Sequence, residues 1–363
     1  MPPAGLIRGT ADAAPSNAQS DTIIRIQGRN HMSTRNETST RSELLKLFTD
    51  KPGEYISGQS IAEKLGISRN SVWKAVSALK KEGYIIDARR NRGYRLVKDE
   101  NLLTRDGILP YVSVPCDIEV FDCVTSTNSL AKDRELDRRA KVIIANRQSK
   151  GRGRLGRNFE SPGGTGIYLT IALKPSFTLE KSLYVTMAVA VAVSRAIERV
   201  CNTQVQIKWV NDLFKGTKKI CGILTEAQTN FETGKIDSLI IGIGVNCFPG
   251  EFSADTDSIA GSISETGGSF SRNMLAAAII DESIQSLNNV EDKNFFDDYR
   301  QRCMILGKKV TVNPNYDTRG FCAEAIDISD DGGLIVRFLE GPDKDMTRTL
   351  HTGEVSVRFN GKR

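Results

Sequence analysis

Residues 151–157, Gly-Arg-Gly-Arg-Leu-Gly-Arg, constrain the chain most, because three glycines and three arginines in seven positions do not build a core. The glycines admit backbone angles closed to other residues and let the main chain approach a ligand, while each arginine offers a planar fork of donors suited to carboxylate or phosphate. A small anionic ligand is implied. Gly151, Gly153 and Gly156 also spell G-x-G-x-x-G behind the strand-like residues 141–146. A dinucleotide motif, however, must open a helix whose N-terminus holds the pyrophosphate. Here the loop runs through residues 158–164 into the strand-like 166–173, so the Rossmann reading fails on context. A solvated basic loop between two strands is the ordinary alternative, and the glycine spacing speaks against it.

At 363 residues and a net charge of +6, the chain is long enough for two or three domains and only mildly basic. Its seven cysteines (116, 123, 201, 221, 247, 303, 322) form no C-x-x-C pair, which reads as reduced, mostly buried thiols of a cytoplasmic protein. The most apolar run, 184–200, is interrupted by Ser194, Arg195, Glu198 and Arg199. It falls short of the roughly 20 apolar residues that span a bilayer, so a buried helix and no membrane partner are expected. Residues 1–40 lack the apolar core of a secretory signal and read as a disordered extension, with Met32 a candidate start.

From Arg41 the chain becomes periodic. Leu44, Leu45, Leu47 and Phe48 predict a helix closed by residues 51–53, and 60–65 predict a second. Gly66-Ile67-Ser68 is a tight turn ending in an N-cap, after which Val72, Val76 and Leu79 repeat at helical spacing. Residues 84–86 and 93–96 flank a basic tip at 88–92, the wing of a winged helix-turn-helix. Between 69 and 95, Arg69, Lys74, Lys80, Lys81, Arg89, Arg90, Arg92 and Arg95 face only Glu82 and Asp87. Ser68, Arg69, Asn70, Ser71, Lys74, Arg89, Arg90 and Arg92 are the candidate DNA contacts. A basic face that binds a protein is the plainer alternative.

A larger unit begins near Leu102. Residues 118–122 read as a strand delivering Thr125-Ser126-Thr127-Asn128 to a helix from Ser129 to Leu136, where these side chains serve as N-cap groups or ligand contacts. Residues 205–209 read as a strand ending in Val210-Asn211-Asp212, followed by a hairpin turn at 215–219 and a strand at 220–227. Asn211 and Asp212 beside Lys218 and Lys219 could organise a metal-bound polyphosphate, although lysines at a hairpin are usually just solvated. Residues 240–246 form another apolar strand, and the polar loop from Pro249 to about Ser269 is expected to be mobile. After Gly307, alternation at 308–312, 321–328, 334–339 and 354–359 predicts a small antiparallel barrel.

Taken together, Ser126-Thr127-Asn128, Gln148, the 151–157 loop, Lys208-Trp209-x-Asn211-Asp212-Leu213, Lys219-x-x-Gly222-Ile223-Leu224, Gly244-Val245-Asn246 and Gly353–Arg358 stand in the order seen in biotin protein ligases. With its winged helix the chain resembles the bifunctional subgroup that also represses biotin genes. The resemblance covers about residues 41–358 and departs at Leu155, Phe159, Val210 and Cys221, where arginine, tryptophan, proline and a small residue are usual.

The resemblance implies an α+β multidomain protein: a disordered 1–40, a winged helix-turn-helix DNA-binding domain at 41–98, a mixed α/β catalytic domain at 102–305 and an SH3-like domain at 306–363. It implies MgATP-dependent formation of biotinyl-5'-AMP, transfer of biotin to a lysine of a biotin carboxyl carrier protein, and repression from operator DNA by a homodimer bound to biotinyl-AMP. Ser126, Thr127, Asn128, Gln148, Arg152, Gly153, Arg154 and Lys219 would bind biotin. Gly151, Arg157, Phe159, Lys208, Asn211, Asp212 and Asn246 would bind ATP or the adenylate. Arg154, Arg157, Lys219 and Asp212 would be catalytic, with Asp212 toward Mg²⁺ and Glu354 and Arg358 facing the site. With only His31 and His351 in the chain, no histidine base is expected. A lipoate or other acyl-acid ligase on the same fold and a non-catalytic biotin-sensing repressor are the alternatives. Removing Arg90 or Arg92 by alanine substitution is expected to flatten the salt dependence of DNA binding, because each phosphate contact adds about one unit to the slope of log affinity against log salt. An unchanged slope would refute their contact with phosphate.

Overall fold

The computed structural model describes residues 40–357 apart from positions 42, 49–50, 52, 82–83, 98–101, 176–181, 230–235, 267–268, 314–319 and 352–353. The expected extension, save its last residue Thr40, which is helical, and Arg358 lie outside the described residues.

Helical residues 40–41 and 43–48 open the first unit. The next helix, Gly58–Leu65, starts two residues earlier than the apolar pattern suggested, because the Ser57 hydroxyl caps it by accepting from the Ser60 amide at 3.0 Å. Ser68 caps the Arg69–Lys81 helix in the expected way, accepting from the Ser71 amide at 3.0 Å. The wing is β1 (Ile86–Arg89) paired antiparallel with β2 (Gly93–Leu96). Ile56 bridges to Tyr94 and adds a third rung that periodicity did not reveal. Leu44, Phe48, Ile61, Val72, Val76, Leu79 and Ile86 close a core separate from that of the rest of the chain.

The second unit is built on a seven-stranded sheet of β3 (Cys116–Phe121), β4 (Ala140–Ala145), β5 (Gly166–Leu173), β6 (Gln206–Lys208), β7 (Asp212–Lys215), β8 (Lys218–Thr229) and β9 (Ile236–Asn246). Its order is β3-β4-β5-β9-β8-β7-β6, and only β3 and β4 run parallel. Alternation along β9 sends Ile241, Ile243 and Val245 into the main core, where the Ser182–Cys201 and Arg272–Asn288 helices contribute Val185, Val189, Val193, Leu275 and Ile279. Each such side chain stabilises the fold by about 1.5–3 kcal/mol when fully buried. The opposite face presents Gly242 and Gly244, and the Thr127–Lys132 helix packs on that side over Ala172 and Ile240. That helix begins at Thr127 rather than Ser129, because Ser126 is its cap.

The 205–209 stretch also turns sooner than expected. β6 ends at Lys208, and β7 folds straight back on it, with Lys208 opposite Asp212. The Asn211 side-chain amide donates to the Ile223 carbonyl at 2.9 Å while the Ile223 amide donates to the Asn211 carbonyl at 3.0 Å, tying this turn to β8. The polar loop expected to be mobile makes tertiary contacts between residues 253 and 261. Glu160 accepts from the Ser253 amide at 2.8 Å and from the Thr256 hydroxyl at 2.6 Å, and Lys219 exchanges backbone bonds with Ile259 and Gly261.

The C-terminal sheet has the order β13-β12-β11-β10-β14, from β10 (Lys309–Asn313), β11 (Phe321–Ile328), β12 (Leu334–Phe338), β13 (Thr347–Leu350) and β14 (Glu354–Val357). β13 escaped prediction because only Leu350 in it is buried. Val310, Val312, Ala323 and Val336 join the main core, and the Trp209 indole N–H donates to the Gly332 carbonyl at 3.1 Å. Tyr84 of the first unit donates to Asp122 Oδ1, at the end of β3, at 2.9 Å.

Gly93 has a φ of +97°, and a Cβ there would lie 2.1 Å from the Ile56 carbonyl oxygen. Gly93→Ala is therefore expected to destabilise the winged unit by more than about 2 kcal/mol, read as a lowered unfolding midpoint for that unit. An unchanged midpoint would show that the Ile56 rung does not hold the wing.

Candidate ligand cavity and basic cleft

The 151–157 loop is a small closed structure. The Gly153 amide donates to the Arg157 carbonyl at 2.8 Å, and the Phe159 amide donates to the Gly151 carbonyl at 2.9 Å, so its arms run together. Leu155 at the tip takes a left-handed φ of 57° and is exposed. The loop leans over the glycine face of the sheet. Gly222 and Gly244 are cross-strand partners, and the Phe159 ring lies on them so closely that a Cβ at Gly244 would sit 2.4 Å from it. Glycine at 244 is what makes room for the ring.

Between loop and sheet lies a cavity of about 290 Å³. At one end are Ser126, Thr127, Asn128 and Gln148. Gln148 Oε1 accepts from the Thr127 amide at 2.8 Å and hydroxyl at 3.0 Å, and its Nε2 donates to the Ser161 hydroxyl at 2.8 Å. Thr170, which sequence reasoning missed, stands 2.7 Å from Asn128 Oδ1. At the other end are Lys208, Trp209, Asn211, Asp212 and Lys219. Arg154 Nη1 donates to Asn211 Oδ1 at 2.9 Å, and Lys219 Nζ lies 2.7 Å from Asp212 Oδ1. Among the described lining residues, Arg152, Arg154, Arg157, Lys208 and Lys219 face the lone carboxylate of Asp212.

Burial lowers the Lys208 pKa, with the charges of Lys219 and Arg157 adding to the effect and Asp212 opposing it. The Cys221 thiol is pushed up by burial, so no thiolate nucleophile adjoins Lys219. No group of three or more His, Cys, Asp or Glu suited to a metal occurs among the described residues. A cation held by Asp212 would have to complete its shell from water and a ligand's oxygens, the way Mg²⁺ sits on phosphates.

Most of the expected residues thus converge, and two do not line the cavity. Gly151 lies behind it, where a Cβ would meet the Phe159 carbonyl at 2.2 Å. Asn246 is buried and donates to the Gly261 carbonyl of the polar loop at 3.1 Å. Lys218 also lies outside the lining and donates to the Ser258 carbonyl at 3.1 Å. Sequence reasoning overlooked Glu226, which accepts from Asn128 at 2.9 Å and Lys132 at 2.8 Å and pairs with Arg152 at 3.0 Å. Burial raises its pKa, but these bonds and charges outweigh burial and leave the carboxyl below its ordinary value. The signal was available: a period of two from Gly222 through Leu224 carries Glu226 to the same face.

The second concave surface lies between the Arg69–Lys81 helix and the wing, lined by Ser57, Gln59, Arg69, Asn70, Arg89 and Arg90 among others. Tyr55 supports it from behind. The guanidinium groups of Arg89, Arg92 and Arg95 lie 5.4, 5.4 and 4.6 Å from its ring centre, and its hydroxyl bonds Asp87. Ser68 and Ser71 bond each other and the helix start, so Ser68 acts as a cap in this structure; it, Ser71, Lys74 and Arg92 lie outside the lining.

The model of the Biotin/lipoate A/B protein ligase family matches residues 120–246, and that of an HTH domain matches 40–95. The chain is 36% identical over 238 residues to the Bifunctional ligase/repressor BirA of Bacillus subtilis, covering 64% of this chain and 73% of that protein. With the protein of the same name from Escherichia coli it shares 28% identity over 247 residues, covering 66% and 75%. Among solved structures it resembles biotin protein ligase from Aquifex aeolicus in complex with biotin and ATP, with a TM-score of 0.56 and 26% identity over 67% of this chain and 98% of that one.

An anion placed beside Lys208 favours its charged form, so polyphosphate binding is expected to take up a proton. The lowered pKa of Lys208 sets the sign: uptake is absent in acid, where the lysine is already charged, and grows as pH rises toward the lysine's own pKa, which lies below the ordinary lysine value. Calorimetry with ATP in buffers of different ionisation heat reads it directly. Uptake that persists unchanged in Lys208→Met would assign it elsewhere.

Proposed function

The chain belongs to the biotin protein ligase family, in its bifunctional ligase/repressor branch, and from that premise we propose how its residues divide the work. It ligates biotin to protein and represses transcription. The carrying observation is that five cations from the 151–157 loop and the β6–β8 hairpins meet in one cavity, because the first step must press an anionic carboxylate against an anionic triphosphate.

Biotin lies toward Ser126, Thr127, Asn128 and Gln148, with the Arg152–Gly153 backbone closing over it. Its carboxylate oxygen attacks the α-phosphorus of ATP, the bond to the bridging oxygen breaks, and pyrophosphate leaves. Arg154, Arg157 and Lys219 oppose the repulsion and take up charge as it develops on the phosphoryl oxygens, each charge-assisted bond contributing about 1.5–3 kcal/mol. Lys208, Asn211 and Phe159 hold the nucleotide, while Gly151 and Asn246 act through the loops they support. Asp212, with phosphate oxygens, would hold Mg²⁺, which supplies charge neutralisation on the leaving pyrophosphate. In the second step the ε-amine of a carrier-domain lysine attacks the biotinyl carbonyl and AMP departs. No enzyme nucleophile is needed.

Residues 41–98 act as the DNA-binding domain, 102–305 as the catalytic domain and 306–363 as a C-terminal domain buttressing the Trp209 turn. The adenylate promotes a homodimer that sets two wings on a palindromic operator, in the cytoplasm; a coupling of about 1–3 kcal/mol suffices. The Tyr84–Asp122 bond, four residues before Ser126, supports such a coupling.

Biotin-dependent exchange of labelled pyrophosphate into ATP, followed by label transfer to a purified carrier domain, tests the ligase reading. Arg154→Ala and Lys219→Ala are each expected to slow exchange by roughly 100-fold, whereas Lys218→Ala, which removes an exposed contact to the Ser258 carbonyl outside the cavity, leaves it within about twofold. Exchange driven by lipoate and not by biotin would replace the substrate assignment.

A further inference from the structure

Trp73 is one of two tryptophans in the chain, and it is used by neither core nor cavity. It is 58% exposed on the Arg69–Lys81 helix, one turn beyond Arg69 and Asn70 and at the flank of the buried stripe of Val72, Val76 and Leu79. An isolated exposed aromatic side chain is ordinary. This one stands in the cleft between helix and wing, beside Arg69, Asn70, Arg89 and Arg90, with no acidic residue among the described lining. An apolar plate inside a cationic cleft suits a polyanion that also offers apolar edges.

We propose that Trp73 is a specificity-determining contact with duplex DNA, its indole reading the C5-methyl of a thymine in the major groove. The proposal rests on the DNA-binding reading above and deepens it. The first turns of a recognition helix meet base edges while neighbouring cations hold the backbone, and Trp73 lies just past the first turn. Thymine is marked in that groove by its methyl, which is read by apolar contact. Duplex RNA is disfavoured as the occupant because its deep, narrow major groove does not admit a helix.

The test uses the full chain with biotin and ATP. Duplexes are selected from a random-sequence DNA library by the wild type and by Trp73→Ala in parallel, and the wild-type winners are remade with uracil for thymine at each position. The expected result is a thymine position at which the wild type loses about fourfold in affinity on uracil substitution, the scale of one buried methyl group. Trp73→Ala should be insensitive there, and Trp73→Phe should keep part of the discrimination. Iodide quenching should register the same contact, since Trp209 is only 5% exposed and the accessible emission comes from Trp73, which the selected duplex should shield. An unfolding midpoint equal to wild type shows that the variants are folded.

Equal uracil sensitivity in the wild type and Trp73→Ala overturns the proposal. So does a Trp73→Ala that selects the same sequences but shifts the monomer–dimer equilibrium in sedimentation, which would place Trp73 between two copies of the chain. If the wild type enriches no sequence at all, the DNA-binding reading itself falls, and the proposal with it.

Discussion

Like-charge repulsion in the main cavity is the constraint from which the surrounding architecture follows. Two unit charges about 4 Å apart interact by roughly 4 kcal/mol at an effective dielectric near 20, and here five cations line one cavity. The fold holds them by giving several a fixed partner on the sheet: Asp212 for Lys219, Asn211 for Arg154 and Glu226 for Arg152. Burial first, and the charges of Lys219 and Arg157 after it, hold the Lys208 pKa below its ordinary value, against the opposing pull of Asp212. An anionic ligand completes this set of charges, which makes binding energy available for bringing reactants together.

Those partners work only because the sheet brings them close without filling the space between them. The Gly222–Gly244 pair leaves room for Phe159, and the loop carrying Phe159 is held by Gln148 and Ser161. Beyond the hairpin, Glu160 and the Lys219 backbone contact the polar loop between residues 253 and 261, while Trp209 is held from the far side by Gly332. The C-terminal sheet is therefore part of how the Asn211-Asp212 turn is presented, through a core it shares with the central sheet.

The wing uses the same device at a solvated surface. Asp87 and the face of Tyr55 gather Arg89 and Arg95, and Tyr55 also gathers Arg92, so the basic edge is ordered before any phosphate arrives. Its exposed ion pairs add little stability; their effect is on geometry. Because Tyr84 touches Asp122, this unit is linked to the strand that leads into Ser126.

Local chemistry was legible in the chain itself. Period-3.6 apolar repeats marked the helices, Ser68 announced its cap, apolar runs marked β5 and β9, alternation marked four of the C-terminal strands, and the Gly-Arg loop between strands excluded a dinucleotide fold. Most cavity residues were legible too, by their types and by resemblance. The sequence could not show that Glu226 pairs with Arg152, that Asn246 and Gly151 stand behind the wall, or that Ile56 extends the wing. β13, nearly all exposed, carried no apolar pattern to find. Each of these depends on strands distant in sequence choosing their neighbours: Glu226 reaches Arg152 only because β8 lies next to β9, and β9 next to β5. What the sequence alone determined was the set of elements and the chemistry they carry, since propensity and patterning act over a few residues. Which charges meet, and which side chains merely hold them, was decided only by the tertiary structure, because pairing energies there depend on distances that no local pattern encodes.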